Sequence, residues 1–124
     1  MVDVLIIGAG VSGVSCALIL GSAQNKPFAI DKKIAIVAHQ KASSLQNAIF
    51  NNAYGIPAGK LGSELLDESL EHLTQSYPHV QQIHGEKVLS ISGEAGNFTI
   101  TTNKSSLQAK IVVIAIGSEN PFTI

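Results

Sequence analysis

The chain has 124 residues and a formal net charge of −1, with 45% apolar and 14% charged residues. That length suits one domain with a real core, residues 1–124, and the balance suits a globular α/β domain with well-covered sheet faces. No basic run points to nucleic acid or an anionic membrane surface, and no apolar stretch reaches the ~20 residues of a membrane span.

Residues 2–7 read VDVLII. Such a β-branched, nearly continuous apolar run predicts a parallel strand covered on both faces. The N-terminus lacks a positive leader and carries Asp3 at once, which argues against a signal peptide. The single cysteine, Cys16, allows no intramolecular disulfide, so the chain reads as cytoplasmic.

The strand runs into Gly8-Ala9-Gly10-Val11-Ser12-Gly13. Gly8 permits a tight turn out of the strand. Gly10 lets the backbone approach a pyrophosphate with no Cβ in the way, and Gly13 lets helix and strand pack closely. An apolar helix is expected over residues 14–22. Its free first-turn N–H groups and the positive end of its dipole would face the phosphates. A glycine-rich turn alone is weak evidence and fits a plain βα turn. A strand before it and a helix after it give it the dinucleotide reading.

Two short segments compete to be the second parallel strand, residues 27–30 and residues 34–37. Pro27 weakens the first, and IAIV is the better strand by composition, which makes residues 24–32 an extended connection. The group that grips a ribose hydroxyl belongs about 20 residues past the glycines. Asp31 fits by number. With IAIV as the strand, His39 and Gln40 stand at its tip instead, and the choice stays open.

Residues 41–59 predict a loop with a short helical turn at 45–50. Residues 61–77 form the clearest helix. Leu61, Leu65, Leu66, Leu70, Leu73 and Tyr77 share one face, Ser63 is the expected N-cap and Pro78 the stop. Residues 80–83 predict a short strand. Residues 87–92, 97–102 and 107–110 alternate between turn signals and predict an antiparallel meander. Residues 111–116, IVVIAI, again predict a fully buried strand. Cys16 reads as a packing residue. The four histidines have no metal-type spacing, and no catalytic acid, base or Ser/His/Asp set is visible.

Four segments carry a resemblance: DVLIIGAGVSG (residues 3–13), NAYGIPAGKLGSELL (52–66), GEKVLSI (85–91) and IVVIAIGS (111–118). Together they resemble the N-terminal half of the FAD domain in the thioredoxin reductase-like flavoproteins of the pyridine nucleotide-disulfide oxidoreductase superfamily. In that family a G-[YF]-P-like turn leads into a helix starting G-x-E-L, as in Gly55-Ile56-Pro57 and Gly62-Ser63-Glu64-Leu65 here. The family's A-T-G strand end is matched by Ala115-Ile116-Gly117, with Ile in place of Thr.

The resemblance implies a Rossmann-like FAD/NAD(P)-binding three-layer fold: a parallel sheet, flanking helices and an antiparallel β-meander. It implies FAD as cofactor, with NAD(P)H as the expected reductant. Gly8, Gly10, Val11, Ser12 and Gly13 would face the pyrophosphate, and Val88 would meet the adenine edge through its backbone. Ala115, Ile116 and Gly117 would pass close to the cofactor, with Asn52 near the flavin side. The family's redox C-x-x-C lies in an inserted domain absent from these residues, as is the second half of the FAD domain. The expected function is therefore the FAD-binding module of a flavin oxidoreductase, completed by a further segment, a second chain or a homodimer. The alternatives are a non-catalytic dinucleotide-binding or interaction domain and an NAD(P)-binding Rossmann domain, the latter disfavoured by the meander.

Overall fold

A computed structural model describes residues 1–39 and 44–117. Its frame is a six-stranded sheet of order β5-β2-β1-β8-β7-β6. In chain order these are β1 (Val2–Ile7), β2 (Ile34–Ala38), β5 (Gln81–His84), β6 (Val88–Glu94), β7 (Asn97–Thr102) and β8 (Ser106–Ile114). A small antiparallel pair, β3 (Ile49–Phe50) and β4 (Lys60–Leu61), stands apart. The helices are α1 (Val11–Ser22) and α2 (Gly62–Ser76).

β1 is the central strand, parallel to β2 on one side and to β8 on the other, and β2 is parallel to β5. Alternate β1 residues feed two cores. Ile6 packs with Val14 and Ala17 of α1 and Leu73 of α2. Leu5 and Ile7 pack with Val88, Ile91 and Ile100 of the meander. Both helices therefore cover one face and the meander covers the other. Val88 and Ile91 belong to the edge strand β6, yet they share one buried cluster with Ala35 and Val37 of β2. These helix, parallel-sheet and meander layers are the expected fold class.

IAIV is the second strand, as its composition predicted. The connection before it is not extended. It is a string of turns, in which the N–H groups of Lys26, Ala29 and Lys32 each donate to the carbonyl three residues back. Asp3 holds the start of the sheet together. Its carboxylate accepts from the Lys33 N–H at 2.8 Å and pairs with Lys110 at 3.4 Å, tying β1 to β2 and β8.

Three sequence expectations change. First, α1 starts at Val11, so the second half of the glycine motif is helical. Second, α2 is capped by Leu61 with no side-chain bond, and Ser63 lies inside the helix. Third, residues 107–110 and 111–116 do not make two strands. They run together as β8, antiparallel to β7 in its first half and parallel to β1 in its second. That second half is not fully buried: Ile111 is 55% and Ile114 49% exposed. β7 pairs with β8 only as far as Ala109, so the far edge of residues 111–114 carries no strand among the described residues.

Candidate dinucleotide site

The glycine motif sits at the carboxyl end of β1, where the parallel strands of an α/β sheet present their ligand sites. Gly8 has φ +108°, and its N–H donates to the Val37 carbonyl at 2.9 Å. A Cβ on Gly8 would overlap the Ala115 carbonyl oxygen. Gly13 is buried, and a Cβ there would overlap the Gly8 carbonyl oxygen. These two positions allow α1 to start directly on the strand end.

Gly10 is the N-cap of α1, extended at φ −83° and ψ −159°, and makes no side-chain cap. The first α1 bond runs from the Val14 N–H to the Gly10 carbonyl at 3.0 Å. The N–H groups of Val11, Ser12 and Gly13 precede the reach of the helical ladder and have no partner within it. Val11 and Ser12 are exposed. An uncapped, accessible helix N-terminus with its dipole aimed outward is a receptor for an anion. The cradle therefore suits a pyrophosphate on its own geometry.

Ala115 donates its N–H to the Ile7 carbonyl at 2.8 Å, which brings the end of β8 beside the glycine turn. Ile116 is half-buried, and Gly117 is exposed with φ +66°. The structure thus gathers Gly8, Gly13, Ala115 and Ile116 into one place. His39 is exposed just beyond the tip of β2, whereas Gln40 lies outside the described residues. Asp31 belongs to the turns that precede β2, beside Lys32, Lys33 and His79. It stands at the opposite end of the strand from the glycines, which removes it as a ribose grip. Val88 is 7% exposed at the start of β6, with its side chain in the core beneath the meander. Asn52 is exposed in the turn between β3 and β4.

One side chain at the strand tips drew no notice in the sequence. His84 pairs in register with Ala38, so it stands at the tip of β5 beside the tip of β2. It lines a cavity of about 380 Å³ together with Ala9 of the glycine turn, Ala38, and Leu66 and Leu70 of α2. Only the strand order and register bring it there, and neither is written in the local sequence. Cys16 is half-buried against the helix-side core, and burial pushes its thiol up. That direction suits a packing residue and disfavours a reactive thiolate. Among the described residues no group of His, Cys, Asp or Glu is placed to hold a metal, and no helix is long and apolar enough to cross a membrane.

The fold and the uncapped glycine turn define a dinucleotide-binding α/β domain. The family model "Pyridine nucleotide-disulphide oxidoreductase" matches residues 2–124, and the chain belongs to that family. It is 30% identical over 116 residues to the ferredoxin–NADP reductase of Lactococcus lactis subsp. lactis (strain IL1403), covering 94% of this chain and 35% of that protein. Among solved structures, thioredoxin reductase from Streptococcus pyogenes superposes with a TM-score of 0.77 at 27% identity, over 98% of this chain and 37% of that one. Lactococcus lactis thioredoxin reductase gives a TM-score of 0.79 at 22% identity, over 98% and 37%, which bears on the fold alone. The chain spans about a third of the length of the relatives it matches.

Proposed function

We propose that this chain is the FAD-binding module of an NAD(P)H-dependent flavin oxidoreductase working in the cytoplasm. The observation that carries the reading is the glycine N-cap of α1, open and without a side-chain cap at the carboxyl end of β1. The reductase names of the relatives favour a flavin enzyme over a plain NAD(P)-binding Rossmann domain.

When bound, FAD supplies electron and hydride transfer through its isoalloxazine ring. The chain's own residues bind and orient it. The N–H groups of Val11, Ser12 and Gly13 would donate to the pyrophosphate, and Gly10 would leave room for it. Residues 115–117 would run alongside the cofactor, the Val88 backbone would meet the adenine edge, and Asn52 would lie toward the flavin. His39, with Gln40 next in sequence, borders the adenosine half.

The edge of β8 that no described strand covers favours completion of the domain by a further strand, from a segment beyond these residues, a second chain or a second copy. Purification with added FAD tests the cofactor. Flavin absorbance that stays with the protein through gel filtration supports the reading. A colourless protein that takes up NADPH and no FAD would overturn it in favour of an NAD(P)-binding domain.

A further inference from the structure

The tip of β2 carries no carboxylate, since Ala38 ends the strand and His39 follows it. A dinucleotide site of this design needs an acceptor there for a ribose hydroxyl. The neighbouring strand tip offers one, and a chain of hydrogen bonds fixes its direction.

The Thr74 hydroxyl has one proton, which it donates to the Leu70 carbonyl at 3.0 Å. Toward Gln82 it can only accept, so Gln82 presents its NH₂ to Thr74, at 2.9 Å. The Gln82 amide oxygen is thereby turned to His84 Nε2, 3.0 Å away. An amide oxygen carries no proton, so Nε2 of His84 must donate. In the neutral imidazole the lone pair then resides on Nδ1. Ala9, Ala38, Leu66 and Leu70 supply the apolar wall of the same cavity, and Ala9 belongs to the pyrophosphate turn. The cavity therefore adjoins the phosphate cradle, and His84, which lines it, keeps its acceptor on Nδ1.

We infer that His84 is the ribose-binding residue of this site, accepting at Nδ1 a hydrogen bond from a hydroxyl of the adenosine ribose. The acceptor has moved one strand over, from the tip of β2 to the tip of β5. Gln82 and Thr74 are positioning residues that hold the ring in its Nε2–H form. This assignment rests on the dinucleotide reading above and adds the identity of the group that recognises the sugar.

The test uses ADP and its 2′-deoxy and 3′-deoxy analogues as probes, titrated calorimetrically into the chain. A net hydrogen bond to a hydroxyl is worth about five- to tenfold in affinity. The wild-type chain should prefer ADP over one deoxy analogue by about that factor. His84→Phe should erase the preference by weakening ADP alone, with affinity for that analogue unchanged. His84→Asn, which keeps an acceptor, should restore part of it. His84 is exposed, so neither variant disturbs the core. A preference that survives in His84→Phe, or a wild-type chain indifferent to both hydroxyls, overturns the ribose assignment and leaves the dinucleotide reading standing. A wild-type chain that binds neither ADP nor FAD overturns the dinucleotide reading and this assignment with it.

Discussion

The hydroxyl of Thr102 donates to Oε2 of Glu86 at 2.7 Å, and this contact pins the 103–105 turn of the meander to the segment that leads from β5 into β6. Ser105 donates to the same Glu86 oxygen at 2.8 Å. Thr102 is the one buried polar side chain among the described residues, and its oxygen also accepts from the N–H groups of Lys104 and Ser105. Across the same junction, the Lys87 N–H donates to Asn103 Oδ1, and the Asn103 N–H donates to the Lys87 carbonyl. Thr102→Val keeps the volume and removes every one of the hydroxyl's bonds. Loss of about 1–3 kcal/mol is expected, since the groups it served are left unpaired. Urea denaturation measures it.

The same cluster sets an acid dependence. The hydrogen bonds from Thr102 and then Ser105 hold the Glu86 carboxyl below the ordinary glutamate range, with Lys104 adding a favourable charge. The folded state thus binds a proton less readily than the unfolded chain. The stability this contributes is fully present above the unfolded value of about pH 4.3 and is lost as pH falls through the lowered folded value. Glu86→Gln removes the titration. The variant should be less stable than wild type at neutral pH, and the gap should narrow in the acid range. Thermal melts at a series of pH values check this, and a gap that widens toward acid would reverse the sign.

The two motif glycines separate binding from folding. Gly13→Ala places a methyl group against the Gly8 carbonyl, so it should cost about 1–3 kcal/mol of stability through overpacking. Gly10 caps the open end of α1, and a bulky residue there stands where the pyrophosphate is proposed to lie. Gly10→Val should abolish FAD binding while the circular dichroism spectrum stays that of the wild type. FAD affinity equal in Gly10→Val and wild type would displace the pyrophosphate from this turn.

What the sequence revealed was set by local chemistry. The strand at residues 2–7 and the turn at Gly8 were legible because apolar runs and glycines act over a few residues. The helix over α2 was legible from Leu66, Leu70 and Leu73 on one face. Ser63 misled, because a polar residue near a helix start resembles a cap, whereas the backbone already enters the helix at Leu61. β8 misled for a different reason. Its pattern changes from alternating to continuous at Ile111 because its neighbour changes from β7 to β1, and a change of neighbour looks like a change of strand. Asp31 had the right spacing from the glycines and the wrong end of the strand. His84 had no local signal at all, because the pairing of β5 with β2 is a property of the whole sheet.

Leu73 is wholly buried between α2 and the sheet, packed with Ile6, Val14 and Ile36. Leu73→Ala should cost about 2–5 kcal/mol, from lost transfer energy and the cavity left behind. The exposed Phe28 in the turns before β2 gives the contrast, since Phe28→Ala should change stability by less than about 0.5 kcal/mol. Chemical denaturation of both variants measures the difference.

The free edge of β8 yields the last expectation. Residues 111–114 read IVVI, with no charge or proline, and among the described residues they pair with β1 on one side only. Ile111 aligns with Val4, and Ile114 with Ile7, so their exposed side chains lie on opposite faces of the sheet. An uncharged strand with one edge open and apolar groups on both faces is a template for another strand. The chain should therefore associate as its concentration rises. Ile111→Lys places a charge at that edge and should shift it toward monomer, with little change in the melting temperature, because Ile111 is already 55% exposed. Light scattering across a dilution series reads both outcomes. A wild-type chain that is monomeric at every concentration would show that this edge does not recruit a second copy.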